Sequence, residues 1–486
     1  MKLPRSKMGR GLSKMTGQLP DSPAAATAPP QSLYQAHKKI QPKAVSGIFA
    51  TWRWVFVWLT QALFYGVCWL PWNGRQAVLF DIVERKFYLF GMVFWPQDII
   101  FLTVLLIISA YSLFLFTAVA GRLWCGYACP QTVYTEIFLW IERKIEGDRN
   151  ARVKLDESAM DGGKFAKRAI KISLWALISL WTGFTFVGYF TPIKTLSSEL
   201  VTLTLGPWEW FWFLFYGGFT YLFAGHLREQ VCKYMCPYAR FQGVMFDPDT
   251  LVITYDPERG EPRGTRAKSD DYRAKGLGHC VDCDLCVAVC PTGIDIRNGL
   301  QYECIGCAAC VDACDQVMAK MEYPKGLIRY STERAMAQHW GWKDIFGHVV
   351  RPRIMLYMGI LTAIVIAFVW GLATKATLRV DVIGDRSVFA REVEDGLIEN
   401  AYRLQVMNVS ETPHRYSVAV VGLDRISLVG DRTIEVPAAT TKSFSVHVQA
   451  PPESGKKGAN QIFFDVKDVA DEKVAVHEKA TFLNPE

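Results

Sequence analysis

Cysteine is nearly missing from most of this chain. Of thirteen cysteines in 486 residues, eight lie between Cys280 and Cys314, four form two pairs at Cys125/Cys129 and Cys232/Cys236, and Cys68 stands alone. Beyond Cys314 there is none, so the carboxyl-terminal region must hold its core by packing without disulfides. No Gly-rich dinucleotide fingerprint is present, which leaves any nicotinamide or flavin to a partner. A formal net charge of +7 comes with no basic helix, finger or RNA-binding signature, and the basic residues cluster beside apolar spans; nucleic acid is excluded as a partner. The start also lacks the early apolar segment of a secretory signal. Residues 1–47 instead read as a basic, disordered cytoplasmic tail.

The cysteine-rich stretch is the most informative part of the chain. Cys280, Cys283 and Cys286 are three apart, and Cys290 follows with Pro291 behind it; Cys304, Cys307, Cys310 and Cys314 repeat the spacing, with Asp315 in place of the proline. This is the run of a bacterial two-cluster ferredoxin. Two-residue gaps let one tight loop present three thiolates to a [4Fe-4S] cube, and the fourth ligand comes from the other run. The spacing therefore predicts one cluster on Cys280, Cys283, Cys286 and Cys314, and a second on Cys304, Cys307, Cys310 and Cys290. Zinc sites also use two-residue gaps, but in pairs of cysteines, not repeated triplets with a fourth.

Half of the residues are hydrophobic and sixteen are tryptophan, which points to a membrane. Five apolar stretches are long enough to cross a bilayer: about 48–70, 98–120, 169–190, 207–225 and 354–372. Lysine and arginine crowd the amino-terminal tail, the 121–168 loop and the segment after His226. By that bias the amino terminus and the ferredoxin module, residues 241–350, face the cytoplasm of a bacterial inner membrane, and the carboxyl terminus is periplasmic. The membrane domain, 48–240, carries two CxxxCP motifs at this same face.

On one helix, residues four apart share a side, so Cys125 with Cys129, and Cys232 with Cys236, are expected to aim two soft thiolates each at one site. Soft sulfur suits Cu(I), and neighbouring clusters could supply the electron that reduces Cu(II). The bland reading is a proline-kinked helix end carrying small apolar residues. His226, Met355 and Met358 are read as interfacial or packing residues, and Cys68 as a packed or lipid-facing thiol. From 377 to 486, alternating apolar strands such as Tyr402–Met407 and Ile462–Val466, with Gly, Pro and Asp turns between them, predict an immunoglobulin-like sandwich. It carries no catalytic constellation, and docking to a partner is its expected role.

The whole is read as multidomain: a five-helix membrane bundle, an α+β two-cluster ferredoxin module and an all-β sandwich. With WCGYACPQT at Trp124–Thr132 and REQVCKYMCPYARFQ at Arg228–Gln242, together with the paired cysteine runs and the sandwich tail, the chain resembles the cytochrome c oxidase accessory family called CcoG, FixG or RdxA. The resemblance implies an inner-membrane protein with two [4Fe-4S] clusters that serves maturation of the cbb-type oxidase by reducing Cu(II) to Cu(I). It implies oxidase subunits or copper-delivery proteins as partners, alongside an electron donor that it does not identify. By the same resemblance Cys125, Cys129, Cys232 and Cys236 are candidates for the copper or electron-transfer site. Two further readings remain: a quinol-linked membrane ferredoxin feeding a reductase, and a redox-sensing assembly scaffold.

Overall fold

The computed structural model describes residues 39–384, 390–393 and 396–485. Most of the basic tail expected at 1–47 thus lies outside the described residues. Long apolar runs fold as helices α1 (Ile48–Val67), α2 (Ile99–Ala120), α5 (Gly162–Val187), α6 (Pro207–Thr220) and α9 (Pro352–Ala373); between them come α3 (Leu123–Tyr127), α4 (Pro130–Glu146), α7 (Pro237–Met245) and α8 (Ala309–Met321). Proline opens α4, α6, α7 and α9, where its fixed φ suits the first turn and its missing N–H is not needed.

Among the described residues three helices are long and apolar enough to cross a membrane: Pro96–Ala120, Gly162–Val187 and Pro352–Ala373. This is a membrane protein on that ground. The other two expected spans are helical but fall short for identifiable reasons. Arg53, Gln61 and several tryptophans dilute α1. The fourth breaks after α6, continuing as a π-helical segment, Tyr221–Leu227, before Arg228 turns the chain with φ 39°.

A buried charge network fixes the bundle where the chain leaves it. Glu142, 1% exposed, accepts hydrogen bonds from Arg152 at 2.9 Å and from Arg228 at 2.6 and 3.2 Å. Lys171 stands 3.8 Å from Glu142 and 2.7 Å from Glu146. The pair Arg228–Glu142 thereby ties the second cysteine segment to α4. Removing one partner of a buried network leaves uncompensated charge. Glu142→Ala is expected to destabilise the fold by about 3–5 kcal/mol, seen as a lowered unfolding midpoint in detergent, whereas Glu435→Ala, which breaks an exposed pair with Arg415, changes little.

The segment 72–96, read from sequence as a loop, is partly sheet. Strands β1 (Val78–Asp81), β2 (Lys86–Leu89) and β3 (Met92–Phe94) form an antiparallel meander. Beside it, Val93 and Trp95 pack on Val409 of the carboxyl-terminal domain, and buried Asp98 pairs with Lys375 at 2.9 Å and with Arg379. In the ferredoxin module β4 (Val252–Tyr255) pairs antiparallel with β5 (Ile328–Ser331) beneath the cysteine loops.

The carboxyl-terminal region is a two-sheet sandwich. Its strands are β6 (Leu378–Gly384), β7 (Ile398–Asn408), β8 (His414–Val421), β9 (Ser427–Val429), β10 (Thr433–Val436), β11 (Thr441–Ala450), β12 (Gly458–Asp468) and β13 (Ala475–Asn484). One sheet runs β9-β11-β7-β6, with the short strand Arg391–Glu392 also on β7; the other runs β10-β8-β12-β13. Leu404, Val406, Tyr416, Phe464 and Phe482 close its interior without any cysteine. The sequence reading found five of these strands and missed β9, β10 and β13: the first two are short, and the outward face of β13 carries charge.

Candidate functional site

The two cysteine runs fold as predicted loops around two cavities. The first is lined by Cys280, Cys283, Cys286 and Cys314, with Tyr255, Leu285, Val317, Met318, Leu327 and Ile328. The second is lined by Cys290, Cys304, Cys307 and Cys310, with Ile253, Ile294, Ile296 and Ile305. Each cavity thus takes one thiol from the other run. Cys286 lines both, so the cavities adjoin. Four soft donors in a mostly apolar wall, to which Asp284 and Arg297 contribute in the first cavity, fit a thiolate-bound iron–sulfur group. Burial pushes the Cys304 and Cys314 thiols up to about 12, so loading either cavity must displace protons.

Local structure explains how the loops reach these positions. Asp284 and Ala308 adopt left-handed conformations just before the helical turn Leu285–Ala288 and before α8, placing Cys286 and Cys310 in first turns. Asp315, where the first run has proline, accepts the Gly326 N–H at 2.8 Å and pins the end of that run to the turn before β5. Asp312 accepts from the Phe49 and Ala50 N–H groups at 3.3 and 2.8 Å. The ferredoxin module is thereby seated on the start of α1.

The CxxxC pairs do not lie on single helices, contrary to the sequence reading. Cys125 sits in the short helix α3 and Cys129 precedes α4 in extended geometry; Cys232 sits in a π-helical turn, Val231–Met235, and Cys236 precedes α7, again extended. Proline in the CP step starts a new helix, so each second cysteine becomes a cap residue. Among the described residues no three of these side chains are grouped as a metal-ion site, but they lie near enough to act on one another electrostatically. Burial pushes the Cys232 thiol up to about 12, with further upward pushes from Cys129, Cys125 and Cys236. Cys125, pushed to about 11 by burial, likewise feels Cys129 and Cys236. Gln131 joins the motifs, donating to the carbonyls of Phe223 and Arg228 at 2.9 and 3.1 Å.

This thiol group abuts the second cavity. A side chain at Gly126 would meet the Cys307 Cα and the Gly306 carbonyl at 2.8 Å, so the helix of the first motif lies directly on the loop between Cys304 and Cys307. Cys125 and Cys232 pack against the apolar cluster that holds Cys307 and Ile305. Sequence reasoning missed the residues that make this junction, Arg122, Gly126 and Gln242; Gln242 is fully buried with its carboxamide 3.4 Å from the Cys125 sulfur. Gly126 and Gln242 were signalled only by position inside the two motifs, and Arg122 only by its place just before the first. His226 lies against Trp175 and Tyr221, Met355 and Met358 face outward, and Cys68 is packed in a core.

A fold that joins apolar spanning helices to a two-run ferredoxin module, with half-buried thiols at their junction, defines a membrane-bound iron–sulfur electron-transfer protein. Family models agree: a "4Fe-4S dicluster domain" matches residues 227–333, a "4Fe-4S binding domain" 101–147, and an "IG-like fold at C-terminal of FixG" 368–485. The chain is 38% identical to nitrogen fixation protein FixG of Rhizobium meliloti, over 80% of each chain. It is 38% identical to protein RdxA of Cereibacter sphaeroides, over 90% of this chain and 94% of that one. A more distant relative, the ferredoxin-type protein NapH of Haemophilus influenzae, is 26% identical over 44% of this chain and 68% of its own. The chain belongs to the FixG/RdxA family.

Proposed function

We propose that this protein is a membrane-bound cupric reductase of the bacterial inner membrane that supports assembly of the cbb-type oxidase. In this reading α1 and the α6 segment complete five spans, the ferredoxin module is cytoplasmic and the sandwich is periplasmic. Cys280, Cys283, Cys286 and Cys314 hold one cluster, and Cys304, Cys307, Cys310 and Cys290 the other. When bound, the clusters supply one-electron carriers. Cys125, Cys129, Cys232 and Cys236 hold copper beside the second cavity, where one electron converts Cu(II) to Cu(I). The observation that carries the reading is the contact of Gly126 with the Gly306–Cys307 backbone, because it sets a soft-donor site directly against the cluster loop. The exposed Cys283 marks the first cavity as the side an electron donor reaches, and the shared Cys286 links it to the second.

The test is anaerobic. Protein with reduced clusters receives Cu(II), and cluster oxidation is followed with Cu(I) captured by a chelator. Wild type should yield Cu(I) with matching cluster oxidation, and a variant with all four membrane cysteines changed to alanine should keep its clusters reduced. Clusters that stay reduced in wild type sink the reading.

A second reading, a quinol-linked ferredoxin, draws support from one feature. An apolar groove opens between α1 and α2, lined by Phe49, Trp52, Phe56, Phe116 and Trp124, and reaches Tyr127 and Tyr330. Reduction of the clusters by a quinol without copper would favour it.

A further inference from the structure

We infer that Arg122 is a positioning residue that fastens the cluster-bearing loop to the membrane thiols and places a fixed positive charge between them. The inference rests on the two thiol sets proposed above, but its tests do not require copper to be the acceptor.

Arg122 directly precedes α3, in the turn made by Gly121 at φ 54°. A side chain on Gly121 would meet the Leu251 carbonyl at 2.7 Å, so the turn is closed over by the ferredoxin module and its course is fixed. From there the Arg122 side chain is buried, 6% exposed. One guanidinium nitrogen donates to the Tyr302 carbonyl and lies 3.5 Å from that of Cys304; the other donates to the Ala239 carbonyl in α7. A single planar group therefore bridges the loop that leads into the second cavity and the helix that follows Cys236. The backbone takes part as well, since a side chain on Gly306 would press on the Arg122 carbonyl at 3.0 Å.

The charge of this group is as telling as its fork. A guanidinium stays protonated, and burying it is costly unless negative charge lies near. Its Nε has no hydrogen-bond partner among the described residues. The groups that act on it electrostatically are Cys125, Cys304, Cys232 and Cys236, one sulfur of the second cavity and three of the membrane set. Carbonyl dipoles alone could have been met by a neutral amide. A buried cation facing thiols from both sites offsets thiolate charge on either side of the junction. For an electron leaving a reduced cluster for an acceptor at the membrane thiols, Arg122 touches neither reacting centre; it acts through the loop and through the local potential.

Two substitutions separate charge from geometry. Arg122→Lys keeps the charge but loses the fork, because an ammonium is a point donor that does not span carbonyls on two elements in fixed orientation. Arg122→Gln loses both. The full-length protein in detergent is examined anaerobically by iron and sulfide content, by potentiometric titration of each cluster's paramagnetic signal, by deuterium exchange over residues 300–307, and by the rate at which Cu(II) reoxidises the clusters. In Arg122→Gln one cluster, the one lost in Cys304→Ala, should move to a more negative potential while the other stays. In Arg122→Lys the potentials should stay near wild type. Both variants should speed deuterium exchange in the 300–307 loop and slow reoxidation by roughly 10- to 100-fold, the scale of a 1 Å misplacement.

Unchanged potential and unchanged exchange in Arg122→Gln would overturn the inference, and so would wild-type exchange in Arg122→Lys, which would reduce the residue to a point charge. If Arg122→Gln fails to assemble, the exchange and rate measurements on Arg122→Lys decide alone. Should wild type reduce no copper, the functional proposal falls, while potentials and exchange still judge Arg122.

Discussion

Cys314→Ala is expected to abolish the cluster held by Cys280, Cys283 and Cys286, and to leave the cluster of its own sequence run intact. The reason is the lining of the cavities: Cys314, at the middle of α8, reaches the first cavity, while Cys290 faces the second. Iron should fall from about eight to about four atoms per chain, one cube's content. The pairing is then read from double variants. Cys283→Ala combined with Cys314→Ala should still retain about four irons, because both strip one site, whereas Cys307→Ala with Cys314→Ala should retain almost none. The reverse result, with the 307/314 pair retaining half the iron, would mean that each run holds its own cluster and that the crossed assignment is wrong. Cys290→Ala should behave as Cys307→Ala does in the same measurements.

Gly126→Val should leave both clusters in place and separate them from the membrane thiols. An added Cβ meets Cys307 Cα and Gly306 O at 2.8 Å and Cys307 N at 2.9 Å, all of them backbone, so no side-chain rotation relieves the clash. Either α3 or the cysteine loop must move. Overpacking of this kind costs about 1–3 kcal/mol, and a displacement near 1 Å at a reacting junction costs about 10²-fold in rate. Iron content is therefore expected to hold while cluster reoxidation by Cu(II) slows by about two orders of magnitude. Gly218→Val in α6 is the control, since a Cβ there meets nothing within 4 Å. Equal rates in wild type and Gly126→Val would show that the junction is not on the electron path.

The two experiments probe links of different origin. Cluster loading depends on a local pattern, thiols spaced by tight turns, whereas transfer across the junction depends on how two distant segments pack. The buried pair Arg228–Glu142 and the Asp312 cap on α1 help hold that packing. Both couple a membrane helix to a cysteine-bearing segment, which is why substitutions remote from any sulfur are expected to matter.

Much was determined by the sequence alone. The doubled cysteine spacing dictated two four-thiol cavities with an exchanged ligand, because a two-residue gap leaves the chain little choice of turn. Apolar length marked the helices, and period-two alternation marked the sandwich. Other features were decided only by the tertiary structure. The positions of Cys125, Cys129, Cys232 and Cys236 are set not by helical spacing, which the CP steps break, but by the packing of α3, α4, α7 and the π-helical turns. Short strands such as β9 and β10 take their pairing from neighbours, not from their own few residues. The junction itself was invisible in the chain: Gly126 and Gly306 are 180 residues apart, and although the φ of 70° at Gly306 itself favours glycine, nothing local to Gly126 requires the absence of a side chain. That requirement arises where two backbones meet, and contact of that kind is a property of the fold.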